Sequence, residues 1–408
     1  LEALGPQLVF LSEENTNPMS LGTLRKHLRA TLVVTRQAFQ VHMQASFFAF
    51  CSYAAVWQTL ESVMSAQEAD QWMATFRVPP RDKGLWDTHM TALASRVHEN
   101  PILNEYFRTL NGEALYQTLQ ASLEGKSFLA EVRRRALQMG NRAPQEFELH
   151  SPRWAEDPRT LISAIQARLL SAGHPTQPIP RRLRGSHVFN PTKRMNPVQR
   201  WLFLRKRESY TAYTRMRERT KGLLMACFTE LRRITKAAGQ RLYERGYLNQ
   251  PDDVFFLTLD ELDSLCVGEY DHNLPDYVVQ RKRTHDYHEK HLPAIPIVEN
   301  KGDTLRGTAV SSGRVTGRAR VVRRPQEAAL RPGEILITEA TDPGWLPLFI
   351  TAGGIVTEIG GLLSHTATLA RELGKPAVFA VPGITRRIHD GQQITVDGWE
   401  GTITIHEP

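Results

Sequence analysis

One segment of this 408-residue chain decides how its C-terminal part folds: Ile359-Gly360-Gly361-Leu362-Leu363-Ser364-His365-Thr366-Ala367-Thr368-Leu369-Ala370-Arg371. The paired glycines predict a tight backbone turn directly before a helix. Ser364 is a residue type that caps helix N-termini, so we predict that His365 lies in the first helical turn. Helix N-termini favour negative charge and an imidazole nitrogen is nucleophilic, so this position suits a histidine that carries a transferred phosphoryl group.

The same segment supplies the residues that we expect to bind the phosphate. Arg371 follows Ser364 by seven residues and faces the same side of the helix, where its guanidinium can pair with phosphate oxygens. We place Ser364, Thr366, Gly360 and Gly361 in the same phosphate-binding group around the catalytic histidine. Two simpler interpretations stay open: the glycines form only a turn, and Arg371 is an ordinary cation of the helix C-terminus.

A longer pattern surrounds this segment. Over about the last hundred residues, glycines, prolines and polar residues follow one another in a fixed order: Gly307, Ser311-Ser312-Gly313, Thr316-Gly317, Pro332-Gly333-Glu334-Ile335-Leu336-Ile337, Thr341-Asp342-Pro343-Gly344-Trp345, Asp397-Gly398 and Gly401. Together with the His365 segment, this order resembles the swivelling phosphohistidine domain of pyruvate phosphate dikinase, phosphoenolpyruvate synthase and rifampin phosphotransferase. Thr366 stands where that family usually has Ala or Gly. For Asp342 and Trp345, a role in loop packing stays open beside a role in the site.

The pattern of apolar residues along the sequence and the resemblance together predict the fold class. Residues 299–408 contain short β-type runs on both sides of the His365 helix, and the resemblance implies a compact β/β/α swivelling phosphohistidine domain there. Residues 1–298 read as a large, mostly helical domain, because apolar residues recur three and four apart between about 20 and 293. The resemblance implies that this domain binds the substrate. Proline-rich sequence predicts a linker near residues 174–198. We therefore predict a multidomain α + α/β chain.

Two local features of the helical part carry predictions of their own. The aromatic-rich stretch Phe47-Phe48-Ala49-Phe50 predicts core packing, and a wall for an apolar substrate stays open as the alternative. The run Asp252–Thr258 reads as a short strand-like piece, followed by a helix over Leu259–Leu265.

The helical part also carries a second resemblance. Arg207-Glu208 at the head of a long helix, then Gly246-Tyr247-Leu248 and Pro251–Thr258, follow the order of the helical substrate region of rifampin-phosphotransferase-like proteins. The resemblance implies that Arg207 and Glu208 contact the substrate or its phosphate. Thr211 stands where that family has a basic residue. An ordinary helix surface stays open as the simpler interpretation of Arg207-Glu208.

A further piece of the same resemblance begins at Gly140-Asn141-Arg142 and continues with Glu146, Glu148 and Pro152-Arg153-Trp154. It implies a substrate contact for Arg142. A buried ion pair of Arg142 with Glu146 or Glu148 is the alternative.

Composition limits the classes of protein to which the chain can belong. It carries 51 Lys and Arg against 43 Asp and Glu, but its arginine clusters do not alternate with aromatic residues as in nucleic-acid-binding motifs. Cys51, Cys227 and Cys266 are odd in number and widely spaced, which argues against a disulfide framework or a zinc site and favours a reducing compartment. No apolar run reaches membrane-spanning length. We expect a cytoplasmic protein that binds no metal ion in this chain, no nucleic acid and no membrane.

The sequence does not provide its own source of phosphate. Nothing in it resembles a P-loop, and the chain has no room for an ATP-grasp fold. The resemblance implies an ATP-grasp partner, in the same gene or in a separate chain, that binds ATP and Mg²⁺ and loads phosphate onto His365. The chain begins with Leu1 rather than Met, and a fragment of a longer protein and a natural split protein both stay open. We expect the small domain to swing on a hinge near residues 293–306 and to deliver phosphate to the helical domain.

Three functions fit these expectations. The first is a dikinase-type, ATP-dependent phosphotransferase in which His365 carries phosphate to a small-molecule substrate. The second is a ligase or condensing enzyme that activates a small molecule by phosphorylating it. The third is a non-enzymatic phosphocarrier module. The sequence leaves the substrate and the oligomeric state open.

Overall fold

The structure, a computed structural model, describes residues 16, 19–65, 68, 69, 72, 73, 85–139, 141–171, 190–269, 271, 273–290, 304–323, 330–362 and 364–406. The chain divides into two compact units. Unit 1 is drawn from Leu1–Ser46, Glu146–Pro152 and Met216–Ala294, and unit 2 from Phe47–Gln145, Arg153–Arg215 and Ile295–Pro408.

The described residues before position 291 are mostly helical, as predicted. The α-helices are α1 (Leu21–Glu61), α2 (Leu85–Glu99), α3 (Pro101–Thr109), α4 (Gly112–Ala121), α5 (Leu123–Gln138), α6 (Arg159–Ser171), α7 (Pro197–Glu244), α8 (Leu259–Cys266) and α9 (Leu274–Lys290). Short 3₁₀-helices cover Pro191–Lys193 and Pro251–Phe256. The long helices α1 and α7 contribute residues to both units.

The core of unit 1 follows from the spacing of apolar residues on two helices. Leu21, Leu24 and Leu28 recur at three and four residues along α1 and are buried. They form one hydrophobic cluster with Ile234 and Leu242 of α7. Burying a leucine or isoleucine side chain contributes about 1.5–3 kcal/mol, so this apolar face holds α1 against α7.

The helical part of unit 2 is built around the helices α2–α6, two of which begin at side-chain caps. The Asn100 side chain accepts a hydrogen bond of 3.0 Å from an amide in the first turn of α3, and Ser122 accepts one of 3.1 Å at the start of α5. Such caps stabilise a helix by about 1 kcal/mol. The buried rings of Phe107 and Phe128 pack edge to face between α3 and α5, with their centroids 5.6 Å apart.

The prediction that Phe47-Phe48-Ala49-Phe50 packs in the core was wrong for its three aromatic residues. The side chains of Phe47, Phe48 and Phe50 are 62%, 48% and 58% exposed, whereas Ala49 is buried. The helical repeat of α1 turns the small residue inward and the three rings outward.

The prediction of a strand-like piece at Asp252–Thr258 was also wrong. The run forms the 3₁₀-helix Pro251–Phe256, because Pro251 fixes a helical φ at its start and the Asp253 carboxylate accepts a hydrogen bond from the Gln250 amide. The helix that we predicted after it is present as α8.

The described C-terminal residues form an eight-stranded mixed sheet. Its strands are β1 (Thr304–Arg306), β2 (Thr308–Ser311), β3 (Arg314–Val321), β4 (Ile335–Thr338), β5 (Gly354–Thr357), β6 (Ala377–Phe379), β7 (Gln393–Asp397) and β8 (Thr402–Ile405), in the order β1-β8-β7-β3-β4-β5-β6-β2. Neighbours from β3 to β6 are parallel and the other pairs are antiparallel. The helices α10 (Leu346–Thr351), α11 (His365–Glu372) and α12 (Ile384–Arg387) connect strands. A helical part followed by a compact mixed sheet confirms the predicted fold class.

The sheet buries apolar residues on both faces. Ile335 and Ile337 of β4 belong to one cluster, and Leu336 between them belongs to a second cluster. Successive side chains of a strand point to opposite faces, so the two clusters cover opposite sides of the sheet. The second cluster also contains Phe349 of α10 and Ile165 of α6, so this face shares its core with the helical bundle of unit 2.

In the described residues, no helix combines the length and the apolar character needed to cross a membrane. Most of the predicted linker, at residues 174–189, and most of the predicted hinge, at residues 293–303, lie outside the described residues. The domain boundary between residues 298 and 299 also falls there and stays a prediction.

Candidate functional site

The connection from β5 to α11 contains the predicted phosphohistidine segment. The Thr357 hydroxyl at the end of β5 donates a hydrogen bond of 2.8 Å to the Ile359 carbonyl. A Cβ at Gly360, where φ is +156°, would lie 2.9 Å from a ring carbon of Phe379, so space requires glycine there. A Cβ at Gly361 would meet nothing within 4 Å.

Ser364 starts helix α11. Its hydroxyl oxygen accepts a hydrogen bond of 3.1 Å from the Ala367 amide, and its own amide donates one of 2.9 Å to the Gly361 carbonyl. The predicted N-cap and turn are thereby confirmed. His365 is the first helical residue and stands at the positive end of the helix dipole. Its side chain lies outside the described part of the structure, so its catalytic role stays a prediction.

The Arg371 guanidinium lies against backbone carbonyls. Nη1 donates to the Val310 carbonyl at 3.2 Å, and Nη2 donates to the Leu362 carbonyl at 2.9 Å. These bonds tie the last turn of α11 to strand β2 and to the turn before the helix. The geometry is that of a residue that holds the loop, and a contact of Arg371 with phosphate stays a prediction.

The loop after β4 meets the first turn of α11. Thr366 is buried, and its hydroxyl lies 2.6 Å from the Thr341 hydroxyl. The Asp342 carboxylate accepts a hydrogen bond of 2.6 Å from the Gly344 amide and closes a turn, while Trp345 is buried in the core. The structure thus brings two of the sequence motifs together, and it gives Asp342 and Trp345 roles within the loop.

Arg207 and Glu208 lie on the part of α7 that belongs to unit 2. The Thr211 hydroxyl donates a hydrogen bond of 2.9 Å to the Arg207 carbonyl, as threonine often does within helices. The Glu208 carboxylate is 3.9 Å from the Arg205 guanidinium and 70% exposed, the geometry of an ordinary helix surface. The Arg207 side chain is half-buried.

Arg142 lies between α5 and α6, where the structure joins both ends of its sequence motif. Asn141 has a positive φ of 56°, which turns the backbone sharply. The Arg142 carbonyl then accepts a hydrogen bond of 2.9 Å from the Trp154 amide. The neighbouring Arg153 side chain is buried. Glu146, a predicted alternative partner of Arg142, binds Lys221 with 2.7 Å between carboxylate and ammonium.

Unit 2 also presents an exposed aromatic surface, formed by Phe47, Phe48 and Phe50 of α1. The Phe48 ring stacks on Tyr213 of α7, with the ring centroids 5.4 Å apart. Soluble proteins usually expose large apolar side chains singly, so three within four residues indicate a surface with something to bind. The alternative interpretation of this stretch, a wall for an apolar substrate, stays a prediction.

Sequence reasoning missed one polar arrangement in unit 1. His42 of α1 is half-buried, and its Nδ1 lies 3.1 Å from the hydroxyl of Thr220 on α7. The two residues are 178 positions apart, and no local motif marks either of them. Only the packing of α1 on α7 brings them together.

In the part of the chain that the structure describes, no group of three or more His, Cys, Asp and Glu side chains is arranged to hold a metal ion. The free cysteines Cys227 and Cys266 are buried and Cys51 is exposed. Burial raises the pKa of both buried thiols to about 11, so neither is a reactive thiolate at neutral pH.

The predicted resemblance is confirmed by comparison with known protein families. Residues 330–401 match the PEP-utilising enzyme mobile domain, and residues 42–218 match the rifampicin phosphotransferase fourth domain. The first match contains the whole segment from Gly360 to Arg371, and the second contains Arg142, Arg207 and Glu208.

Individual proteins are similar to this chain over most of its length. A rifampicin phosphotransferase of Bacillus cereus is 30% identical to this chain, over 77% of this chain and 37% of its own length. A rifampicin phosphotransferase of Streptomyces sviceus is 34% identical, over 65% of this chain and 33% of its own length. The prodigiosin synthesizing transferase PigC of Serratia marcescens is 29% identical over 77% of this chain and 38% of its own length. The chain spans about a third of the length of these relatives.

Proposed function

We propose that this chain, which carries the mobile domain of the PEP-utilising enzymes and the fourth domain of the rifampicin phosphotransferases, is the phosphate-carrying and acceptor-binding part of an ATP-dependent phosphotransferase. An ATP-grasp domain, in the same gene or in a separate chain, would cleave ATP with Mg²⁺ and load phosphate onto His365. The sheet domain, residues 299–408, would then carry the phosphate to a small molecule bound by the helical domain, residues 1–298.

One observation carries this proposal: His365 is the first residue of a helix that is capped by Ser364 and preceded by the sterically required Gly360. The first turn of a helix presents backbone N–H groups and a partial positive charge, both of which favour a phosphoryl group on the imidazole. Gly361, Thr366 and the Arg371 side chain complete the proposed phosphate-binding group. Two reaction centres share one histidine only if the histidine moves, so the proposal includes a swing of the domain.

The exposed aromatic surface supports an apolar, ring-containing acceptor. Phe47, Phe48 and Phe50 offer ring faces to such a molecule, and Tyr213 extends them on α7. Two of the relatives are named for phosphorylating rifampicin. Arg207, half-buried on the same helix as Tyr213, is the proposed cation for the arriving phosphate, with Glu208 and Arg142 as further substrate contacts.

A ligase is the second candidate, because the similarity to a prodigiosin synthesizing transferase covers as much of this chain as the similarity to the phosphotransferase of Bacillus cereus. In that reaction phosphorylation would activate one small molecule for condensation with another. The two outcomes differ in the mass of the product. A phosphotransferase adds one phosphoryl group to its small-molecule substrate, whereas a ligase joins that substrate to a second one.

The experiment is a transfer assay with an ATP-grasp domain, ATP labelled in its β- and γ-phosphates, and rifampicin as the first acceptor tried. We expect label on the protein and then in a small-molecule product, and neither in His365→Gln. His389→Gln, at an exposed histidine of the same sheet domain, is the matched control and should behave as wild type. Equal labelling of His365→Gln and wild type would remove the proposed function.

A further inference from the structure

A groove runs between α1 and α7 within unit 2, and we call it the α1–α7 groove. At one end Phe48 of α1 stacks on Tyr213 of α7, with the ring centroids 5.4 Å apart. At the other end the Lys206 ammonium of α7 donates a hydrogen bond of 2.8 Å to the Thr59 hydroxyl of α1. Seven residues along α7 and eleven along α1 bring each helix back to the same side, so both ends open on one flank of the helix pair. The ends lie about 10 Å apart along α7.

Short side chains line the α1–α7 groove between its two ends. Ser52 and Ala55 follow Phe48 on the same side of α1, and Ser209 lies on the facing stretch of α7. The Ser52 hydroxyl donates to the carbonyls of Phe48 and Ala49, at 2.8 and 2.9 Å, so this side chain stays folded against its own helix. Side chains of this size leave a depression between the ring pair and the ammonium.

The ammonium at the end of the groove has a neutral partner. The Thr59 hydroxyl donates its own hydrogen to the Ala55 carbonyl at 2.8 Å and accepts one from Lys206. Among the described residues no carboxylate pairs with Lys206, and the neighbouring Glu208 lies 3.9 Å from Arg205 instead. Lys206 is half-buried and keeps two further N–H donors, so an anion in the groove would stabilise it.

The rest of the α1–α7 groove favours an apolar ring. Phe48 is 48% exposed although it stacks on Tyr213, and Leu202, one turn before Lys206, is 41% exposed. Exposed apolar side chains beside an ammonium complement a molecule that has an apolar ring and one negative charge. The match to the rifampicin phosphotransferase fourth domain, residues 42–218, contains the whole groove.

We propose that the α1–α7 groove recognises an acidic group on the acceptor: the Phe48–Tyr213 pair contacts an apolar ring, and Lys206 binds a carboxylate about 10 Å from it. This inference rests on the proposed function, because it names the class of its acceptor as a ring-containing acid. Arg207, the residue after Lys206, points about 100° away around α7. The acid of the acceptor and the arriving phosphate therefore have separate cations.

Binding of two matched probes to the whole chain tests the groove without any turnover. The probes are 6-(2-naphthyl)hexanoic acid, which is ionised at pH 7, and its uncharged primary amide, and isothermal titration calorimetry measures both dissociation constants. We expect the acid to bind about tenfold more tightly than the amide, the contribution of a charge-assisted hydrogen bond. Tyr213→Ala should weaken both probes equally, because both contact its ring. Equal affinity for the two probes, or no saturable binding of the acid, overturns the proposal.

Variants at the ammonium and at its partner locate the recognition of charge. Lys206→Met should weaken binding of the acid about tenfold, whereas Lys206→Arg should keep the preference for the acid. Thr59→Asp puts a carboxylate beside the intact ammonium and should also remove the preference. Its matched control is Gln58→Asp, at an exposed neighbouring position, which changes the net charge equally and should bind as wild type does. Unchanged binding of the amide shows that a variant is folded. A preference for the acid that survives both Lys206→Met and Thr59→Asp overturns the proposal.

These measurements are independent of phosphate transfer. The assay contains no ATP and no ATP-grasp domain, so a chain whose His365 does not accept phosphate still reports on the groove. Failure of loading would count against the proposed function alone. Equal affinity for the acid and the amide would remove the ring-containing acid as the acceptor class, and the loading of His365 would still be decided by its own assay.

Discussion

The buried side-chain amine of Lys375 destabilises the folded state. Lys375 lies three residues after the end of α11 and is only 7% exposed, and burial lowers the pKa of its ammonium to about 8. The folded state therefore disfavours the charged form that the unfolded chain retains up to about pH 10.5. This cost is fully present below pH 8 and disappears as the pH rises from 8 to 10.5.

We predict that Lys375→Met stabilises the chain at pH 7. A pKa lowered from 10.5 to about 8 corresponds to a destabilisation of the folded state by about 3 kcal/mol. The apolar methionine side chain removes at most this amount. Urea unfolding at pH 7 and pH 10 measures the effect, and the advantage should shrink at the higher pH. The exposed Lys126→Met on α5 is the control. A gain that does not change with pH would show that charge burial is not its cause.

At the residue scale, sequence alone located the cap but not the contacts of the site. Ser364 was identified because capping depends on residue type and immediate neighbours, which the sequence displays. The carbonyl partners of Arg371 are Val310 and Leu362, and the first of these is 61 residues away. The pairing of His42 with Thr220 has the same origin, since it arises only where two helices pack.

At the element scale, α8 shows how one carboxylate stabilises a short helix. Glu261 accepts a hydrogen bond of 2.7 Å from the Thr258 amide, while the Thr258 hydroxyl accepts one from the Glu261 amide, which completes a capping box. The same carboxylate binds both terminal nitrogens of Arg281 on α9, at 2.7 and 2.8 Å. The Arg281 guanidinium is the largest cause that lowers the pKa of Glu261 to about 2.

We predict that Glu261→Gln destabilises the chain by about 1–2 kcal/mol at pH 7, because it weakens both the cap and the ion pair. The contribution of a carboxylate with a lowered pKa is fully present above its unfolded pKa of 4.5 and is lost as the pH falls towards 2. The difference from wild type in urea unfolding should therefore shrink between pH 5 and pH 3. Glu105→Gln, an exposed position on α3, serves as the control. A difference that stays constant over this range would contradict the assignment.

Element boundaries were predictable where the local sequence determines them. Strands β5 (Gly354–Thr357) and β8 (Thr402–Ile405) lie on the two sides of the His365 helix, where the sequence predicted short β-type runs, since short apolar or alternating runs mark them. Strands β1 and β2 were missed. They are three and four residues long and exist because they pair with β8 and β6 far along the chain, and a pattern of period two is not visible over so few residues.

At the scale of the whole molecule, the sheet shares one of its two cores with the helical bundle of unit 2. Ile165 of α6 is fully buried in the cluster that contains Leu346 and Phe349 of α10. The other face of the sheet has a cluster of its own. A swing of the phosphohistidine domain therefore requires α10 to leave α6, while the second cluster keeps the sheet folded.

We predict that Ile165→Glu opens this packing. An unpaired carboxylate in an apolar core costs several kcal/mol, so α10 should separate from α6 before the sheet itself unfolds. Hydrogen exchange of the α10 amides should become faster, while exchange in β4 and β7 should stay slow. Leu123→Glu, at an exposed position of the same bundle, is the control. Unchanged exchange in α10 would show that α6 does not hold it.

The division of the molecule was the part least accessible to sequence reasoning. Residue types predicted that the chain changes from helices to short strands in its last hundred or so residues. The two compact units, however, are each drawn from three separate stretches of the chain, and α1 and α7 contribute to both. Such a division depends on long-range packing, which hydrophobic periodicity does not encode.

The central claim is that His365 carries phosphate, and locating the phosphate on the loaded chain tests it most directly. The chain is incubated with an ATP-grasp domain and ATP, kept at alkaline pH to preserve a phosphohistidine, digested, and sequenced by tandem mass spectrometry. Our account predicts one added phosphoryl group, on His365, that is lost in acid and absent from His365→Gln. Phosphate on another residue, or an equal amount of acid-labile phosphate in His365→Gln, would contradict it.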